Sequence, residues 1–302
     1  MEPWVRSPMF LQGERYESEY AKVRKFIDEH KDERLLFLEL GVGRMTPMFI
    51  QEPFWNLTYN LPNSCYATVN PKDAIVPTEI AERSLAVKDD IAAVFHEAAK
   101  TKEAGNLEAV LAASADERKT ERAAVEDEAD PCERAAKAIE DADAVIVSAS
   151  NGLDIACGYN IFAPDERFRE VFGGMAERYG FSSALEGAHS DFSNEAATWA
   201  FWSRFISAYA VDCGPLPLMK GLHETLGGKS HFVITCNAND HFQLAGFERD
   251  RVFETEGNVA YLQCERGCTD EVFPAAPYVH TIMEVGDGRP TEETVTDELI
   301  PR

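Results

Sequence analysis

Two polar turns that follow apolar runs are suited to binding a nucleotide. The run Arg34–Leu40 ends in Gly41-Val42-Gly43, with Thr46 shortly after, and the run Ser64–Val69 ends in Asn70-Pro71. Glycines let backbone N–H groups approach a phosphate, and a polar side chain at the end of the next strand can hold a ribose. Each turn alone is a weak signal, because Gly-x-Gly after a strand is commonly a tight turn and Asn-Pro commonly starts one.

A second glycine-containing turn follows the apolar run Ala142–Ser148. It reads Ser150-Asn151-Gly152, and Phe162 lies a short distance further along the chain. This spacing is consistent with a second phosphate-contacting loop and an aromatic residue that covers a flat ring of the ligand. An Asn-Gly turn followed by a core phenylalanine is an equally good interpretation.

A third polar turn follows the apolar run His231–Cys236. It contains Asn237, Asp240 and His241. Polar residues at the end of a buried strand cost free energy unless they serve a site or cap a helix. Asp240 is therefore either part of a site or the N-cap of a helix, and a lone His241 is more often a surface or capping histidine than a base.

Cys264 and Cys268 flank Glu265-Arg266-Gly267. Two cysteines at this spacing, with a glycine that turns the chain, form half of a tetrahedral zinc site. A structural site needs four ligands, and the neighbouring sequence offers no second pair. Two free thiols are the alternative.

The remaining pattern predicts an α/β fold. Strand–turn–helix units that each end in a Gly, Asn or Asp cluster indicate a Rossmann-like, doubly wound parallel sheet, which binds ligands at the carboxyl ends of its strands. Residues 14–30 predict an amphipathic helix, and residues 199–209 predict an aromatic core helix. Residues 98–141 are rich in Ala and Glu and lack aromatic residues. They predict a helical connector, with a disordered segment as the alternative.

The composition narrows the class of protein. A net charge of −24 over 302 residues argues against a general nucleic-acid binder, which needs clustered Lys and Arg, and favours a basic protein partner. No apolar run approaches the ~20 residues that span a bilayer, and nothing resembles a signal peptide. Seven scattered cysteines indicate reduced thiols. We therefore expect a cytoplasmic protein with neither a nucleic-acid nor a membrane partner.

Taken together, these motifs resemble the sirtuins, a family of NAD-dependent protein deacylases and ADP-ribosyltransferases, and among them the bacterial branch that includes the macrodomain-linked sirtuins. Residues 133–302 resemble the family's N-terminal half. Residues 3–97 resemble its C-terminal half, through the Gly41–Arg44 loop and the segments Trp4–Pro8, Gln51–Trp55 and Asn70–Ala74. The two halves are swapped, so the chain resembles a circular permutant. The alternative is that two neighbouring pieces have been joined in altered order.

The resemblance implies a division of the chain into four parts. They are residues 1–97 as the second half of an NAD-binding Rossmann-like domain, 98–141 as an acidic, Ala-rich helical connector, 142–263 as the first half with a helical insertion, and 264–302 as the remnant of a small zinc-type module. The family's second cysteine pair is absent. Zinc at Cys264 and Cys268 is therefore expected only as a half-site.

The resemblance also implies a reaction in which the nicotinamide–ribose bond of NAD is cleaved, with an acylated or ADP-ribosylated protein as substrate. Glu256 replaces the family's catalytic histidine, and as a carboxylate it can stabilise positive charge on the sugar or act as a general base. Asn237 is expected to orient the ribose or a water molecule, with His241 as an alternative base. The residues expected to hold NAD are Gly41, Val42, Gly43, Thr46, Asn70, Pro71, Ser150, Asn151, Gly152, Phe162, Asn237 and Asp240.

Deacylation and ADP-ribosyl transfer both remain open for this sequence. Two further alternatives follow from its departures from the family pattern, namely the Ser150–Asp154 loop with a single glycine and the replaced histidine. One is a non-catalytic module that binds NAD or ADP-ribose. The other is an NAD hydrolase that uses water as its only acceptor.

Overall fold

The computed structural model describes residues 1–43, 50–95 and 131–302, without the side chains of residues 131 and 132. Thr46 and most of the expected connector, residues 98–130, lie outside the described residues.

Nine strands form two sheets in the described part of the chain. They are β1 (Glu2–Val5), β2 (Leu35–Leu40), β3 (Cys65–Val69), β4 (Ser84–Val87), β5 (Ala144–Ala149), β6 (Ser230–Thr235), β7 (Val252–Glu254), β8 (Gly257–Gln263) and β9 (Phe273–Pro274). The larger sheet has the order β4-β3-β2-β5-β6-β7, and the smaller has the order β1-β8-β9.

Helices connect these strands. The described α-helices are α1 (Glu14–His30), α2 (Gln51–Asn60), α3 (Pro131–Asp141), α4 (Asn151–Ala156), α5 (Glu166–Tyr179), α6 (Ala184–Ala188), α7 (Glu195–Ile206), α8 (Pro217–Leu226), α9 (His241–Leu244) and α10 (Ala276–Val285). A π-helical turn, Ser207–Val211, continues directly from α7.

The larger sheet is parallel where β2 pairs with β3 and β5, and where β3 pairs with β4. Every residue of β2 and β5 is buried. Parallel strands covered on both faces read as continuous apolar runs, which explains why both were visible in the sequence. The prediction of a Rossmann-like α/β fold with a parallel sheet is therefore confirmed.

The described chain divides into two compact units. The first unit comprises Met1–Ala21, Gly158–Leu216 and Thr235–Arg302, and the second comprises Lys22–Cys157 and Pro217–Ile234. Among the described residues, no helix combines the length and apolar character needed to cross a membrane.

Aromatic packing between α5 and α7 forms much of the core of the first unit. The rings of Phe172 and Phe201 stack with centroids 4.9 Å apart, and the π-helical Tyr209 stacks on Phe205 at 5.3 Å. Such pairs contribute beyond their buried area. The predicted aromatic core helix is present, with a π-helical last turn that the sequence pattern did not indicate.

The first unit also joins distant parts of the chain. β1 pairs antiparallel with β8, so that Glu2 lies opposite Gln263 and Val5 opposite Gly257. The backbone nitrogen of Met1 donates to the carbonyl oxygen of Pro301 at 3.2 Å. Residues 1–5 therefore pack in the same unit as residues 257–263 and Pro301.

Candidate functional site

In the second unit, Gly41 and Gly152 meet backbone to backbone. The nitrogen of Gly152 donates to the carbonyl oxygen of Gly41 at 3.2 Å. A Cβ on Gly41 would lie 2.6 Å from the backbone of Gly152 and Leu153, and a Cβ on Gly152 would lie 2.5 Å from the oxygen of Gly41. Gly41 also has a φ of +65°, which other residues rarely adopt. The turns after β2 and β5 therefore form one structure, here called the glycine junction (Gly41–Gly43 and Ser150–Gly152).

Asn70 holds the glycine junction from the end of β3. Its buried side-chain amide donates to the carbonyl oxygen of Val42 at 2.9 Å. Its Oδ1 accepts from the backbone nitrogens of Lys72 and Asp73, which forms the turn through the exposed Pro71. The structure thus shows a positioning role for Asn70, and its expected contact with a ribose stays a prediction.

Gly43 differs sterically from the other glycines of the junction. Among the described residues, no heavy atom would lie within 4 Å of a Cβ built on it, its chain neighbours left aside. The described part of the protein therefore places no steric demand for glycine at this position.

A buried carboxyl group lies beneath the glycine junction, at Glu39 in β2. Glu39 Oε1 accepts from the amide of Gln51 at 3.0 Å and from Thr68 Oγ1 at 2.8 Å, and Oε2 accepts from Tyr66 Oη at 2.9 Å. Burial raises the pKa of Glu39 above its usual range. Because Gln51 begins α2, Glu39 ties the strand before the glycine turn to the helix after it. Sequence reasoning missed this residue, although a lone acid within an apolar strand is the signal for it.

Ser150 and Asn151 precede α4 on the other side of the junction. The nitrogen of Ser150 donates to the carbonyl oxygen of Leu40 at 3.3 Å, which continues the strand pairing into the turn. Asp154 is buried within α4, and burial together with this carboxylate raises the pKa of Cys157 to about 12. A raised pKa disfavours the thiolate, which is the reactive form of a cysteine.

In the first unit, the loop after β6 places Asn237, Asp240 and His241 together. Asn237 is 2% exposed, and its nitrogen donates to Thr235 Oγ1 at 3.0 Å. The nitrogen of His241, which is also buried, donates to Asn239 Oδ1, and its ring lies 4.8 Å from that of Tyr159. The site therefore has a buried histidine at the first residue of α9, whereas the sequence favoured a surface or capping histidine.

Asp240 is anchored by a polar network made of Asp240, Gln243, Arg249, Glu254 and Asn258. Asp240 Oδ1 accepts from Arg249 at 2.6 Å and from the Asn258 amide at 2.8 Å. Glu254 Oε1 accepts from the same Asn258 amide at 2.7 Å and from Gln243 at 2.9 Å. This Asp240 network ties the loop after β6 to β7 and to the start of β8.

Glu254 is the most strongly perturbed acid of this network. It is 1% exposed, and burial raises its pKa to about 8, even though Arg249 and the two amides favour the charged form. Near neutral pH, Glu254 therefore carries its proton much of the time. Sequence reasoning missed the network, because only Asp240 among its members was recognised.

Glu256 lies between β7 and β8 and forms an ion pair with Arg6. The Arg6 nitrogen also donates to the carbonyl oxygen of Glu256 at 2.8 Å. Burial raises the pKa of Glu256, and the charge of Arg6 opposes part of that rise. The carboxylate is half-buried and is held in place by its ion pair with Arg6, and its expected catalytic role stays a prediction.

Phe162 lies in a turn of the first unit, where its nitrogen donates to Asn160 Oδ1 at 3.0 Å. Its side chain is 47% exposed. The alternative of a core phenylalanine is thus wrong for the described structure. Its expected role beside a ligand ring stays a prediction.

Cys264 and Cys268 lie at the end of β8, with their Sγ atoms 2.6 Å apart. The Cys268 thiol and nearby backbone nitrogens lower the pKa of Cys264, and the interaction with Cys264 raises that of Cys268. Among the described residues, no group of three or more His, Cys, Asp or Glu side chains is arranged to hold a metal ion.

Most of the residues expected to hold NAD thus fall into two sets. Within the second unit the structure brings together Gly41, Val42, Gly43, Asn70, Ser150, Asn151 and Gly152. Within the first unit it brings Asn237 and His241 into one loop with Asp240. Cys264 and Cys268 form a separate pair at the far end of β8 from Glu256.

Comparison with known proteins gives partial matches. The chain is 29% identical over 136 residues to a "Protein ADP-ribosyltransferase" of Staphylococcus aureus, a match that covers 45% of this chain and 42% of that protein. It is 29% identical over 164 residues to a "Probable bifunctional ADP-ribose hydrolase/ADP-ribosyltransferase" of Fusarium oxysporum, covering 53% of this chain and 27% of that protein. The chain therefore spans less than half the length of these relatives. No family model matches it.

Proposed function

We propose that this protein is a sirtuin-like enzyme that consumes NAD and transfers ADP-ribose to a protein acceptor. The glycine junction carries this proposal. It joins the turns after two adjacent parallel strands, β2 and β5, at the edge where such sheets bind ligands. The names of the two relatives favour ADP-ribosyl transfer over deacylation.

The glycine junction fits a dinucleotide phosphate. Two backbones meet without side chains at Gly41 and Gly152, and no other described residue crowds the Cβ position of Gly43. Backbone nitrogens can approach an anion only where no Cβ intervenes. We assign the phosphate contact to the backbone nitrogen of Gly43, the close approach of the two turns to Gly41 and Gly152, and the positioning of this loop to Asn70.

When bound, NAD supplies a glycosidic bond to a positively charged leaving group, nicotinamide. Cleavage leaves positive charge developing on the ribose, and we assign the stabilisation of that charge to the Glu256 carboxylate. Its ion pair with Arg6 favours the charged form and orients the carboxylate before the substrate arrives. A preorganised group of this kind contributes more than one that must reorient during the reaction.

His241 and Asn237 are assigned to the acceptor side of the reaction. A neutral imidazole can take the proton that the acceptor nucleophile loses as it bonds to the ribose carbon. An amide that is buried, as that of Asn237 is, can orient a ribose hydroxyl by hydrogen bonding. The Asp240 network then serves to position this loop.

Nicotinamide release from NAD tests the proposal. We expect release by the wild-type protein and a fall of about 100-fold or more in Glu256→Ala, the scale typical of a lost electrostatic contact. Glu224→Ala is the matched control, because Glu224 is an exposed glutamate on α8. No NAD binding and no release by the wild type would overturn the proposal.

The acceptor distinguishes the remaining activities. Incorporation of labelled ADP-ribose into protein supports transfer, whereas deacylation requires release that depends on an acylated peptide. Release with water as the only acceptor indicates an NAD hydrolase. Thermal stabilisation by NAD without any release indicates a binding module.

We also propose that the chain is a circularly permuted sirtuin-like sequence. Two observations support this order, namely the pairing of β1 with β8 and the hydrogen bond between Met1 and Pro301. An alignment that runs continuously along both sequences can follow only one of the two swapped halves of a permuted chain. Each of the two matches covers about half of this chain, as this order predicts. A chain rejoined as residues 131–302 followed by 1–95 should unfold cooperatively and bind NAD; an unfolded product would count against the permuted order.

A further inference from the structure

The Cys264–Cys268 pair does not fit a zinc site. Two thiolates at 2.3 Å from one tetrahedral zinc lie about 3.8 Å apart. The two Sγ atoms here are 2.6 Å apart, and no third ligand approaches them among the described residues. Spreading the pair to the zinc spacing would give two ligands of the four that a structural site needs.

The local backbone instead brings the two sulfurs toward each other. Gly267 has a φ of +61°, and its nitrogen donates to the carbonyl oxygen of Cys264 at 2.9 Å. This tight turn reverses the chain within the five residues of the pair. A further contact, from the Cys268 nitrogen to Cys264 Sγ at 3.4 Å, holds the first sulfur inside the turn.

Both cysteines are open to small molecules. Cys268 is exposed and Cys264 is partly exposed, in the connection between β8 and β9. Reaction with a thiol or disulfide reagent therefore needs no opening of the fold.

We propose that Cys264 and Cys268 form a reversible intrachain disulfide, a redox-active pair that reacts with small-molecule disulfides such as oxidised glutathione. One thiolate attacks the reagent and releases one reduced thiol, and the second thiolate then attacks the mixed disulfide and releases the other. Two protein thiols lose two protons and two electrons, and the reagent's disulfide becomes two thiols. The pair thus supplies both the attacking and the resolving cysteine.

The pair lies next to a residue that links the end of β8 to the segment after β1. Gln263 is fully buried; its side-chain oxygen accepts from the nitrogen of Leu11 at 2.9 Å, and its amide donates to the carbonyl oxygen of Met9 at 2.9 Å. A disulfide at Cys264 would close the β8–β9 connection beside this anchor. We therefore expect oxidation to protect the connection from proteolysis more than the rest of the unit.

Equilibration of the full-length protein in glutathione buffers of graded ratio tests the proposal. Alkylation followed by peptide mass spectrometry should show a Cys264–Cys268 crosslink that appears as the oxidised fraction rises and disappears on return to reduced glutathione. Cys65→Ser is the matched control, because Cys65 is an exposed cysteine in β3, and it should leave the crosslink unchanged.

Cys264→Ser and Cys268→Ser should each abolish the crosslink and leave a glutathione adduct on the remaining cysteine. Phenylarsine oxide captures paired thiols. It should protect both cysteines from alkylation in the reduced wild type, and it should not protect the remaining cysteine in either single variant. Stoichiometric zinc that is lost in both variants and shields the pair from alkylation would overturn the proposal. Single-cysteine adducts without a crosslink in the wild type would overturn it equally.

Discussion

At the level of single residues, the two glycines after β2 differ in what they contribute: Gly41 to the packing of the protein, and Gly43 to the proposed ligand site. Gly41 is required by the protein itself, because its φ is +65° and a Cβ would lie 2.6 Å from the backbone of Gly152. We expect Gly41→Ala to lower the free energy of unfolding by about 3 kcal/mol or more, since two backbones must separate to admit a methyl group. Urea denaturation measures this loss. A stability equal to wild type would show that the junction is not tightly packed.

Gly43 differs, because no described residue beyond its chain neighbours would contact a Cβ there. We expect Gly43→Ala to unfold at the wild-type temperature and to bind NAD at least 10-fold more weakly, because the methyl group would occupy the space that we assign to the ligand. Isothermal titration calorimetry measures the affinity. Gly174→Ala in α5, another glycine with open space around it, is the control and should bind NAD normally. Equal affinities for both variants would remove phosphate binding from Gly43.

The ion pair of Glu256 predicts a specific pH effect. The charge of Arg6 lowers a pKa that burial raises, so Arg6→Ala should raise the pKa of Glu256 further. If the carboxylate is the active form, the acid limb of kcat/KM for nicotinamide release moves to higher pH. Arg178→Ala removes a comparable surface ion pair and should leave the profile unchanged. An unshifted limb in Arg6→Ala would assign that limb to another group.

At the level of secondary-structure elements, the buried strands were predictable and the polar contacts between them were not. β2 and β5 read as continuous apolar runs because helices cover both faces of the sheet. The role of Glu39 depends on partners from β3 and α2, and no spacing within one strand reveals them. The Asp240 network likewise needs β7 and β8 to be placed first.

The hydrogen bonds of Glu39 link β2 to β3 and α2, and we expect the stability of the protein to depend on them. Glu39→Leu leaves the hydroxyls of Tyr66 and Thr68 and the amide of Gln51 without their acceptor inside the protein. We expect a loss of about 3 kcal/mol, because buried polar groups without partners retain their full desolvation cost. Glu39→Gln keeps one acceptor oxygen and should lose less. Chemical denaturation of both variants measures the difference, and equal stabilities would contradict a cooperative role for these hydrogen bonds.

At the level of the whole molecule, a net charge of −24 coexists with acids that burial pushes toward their neutral form. Self-repulsion disfavours a compact chain of such charge, and it grows as more acids ionise. A neutral Glu254 therefore removes one negative charge from the interior, next to Asp240. The composition predicted the overall charge but not which acids hold their protons, because that depends on burial, which the sequence alone does not give.

Glu254 makes the stability of the whole protein depend on pH. Its pKa is raised to about 8 in the folded protein and returns to its ordinary value on unfolding. The contribution of protonated Glu254 to the free energy of unfolding is thus complete below pH 4.5, the ordinary pKa. It is lost as the pH rises to about 8, at up to about 1.4 kcal/mol per pH unit. Glu254→Gln removes this dependence while keeping an oxygen for the amides of Gln243 and Asn258. Urea denaturation of both proteins from pH 5 to about 8 should therefore show the wild type losing stability relative to the variant, whereas parallel curves would mean that Glu254 ionises normally in the folded state.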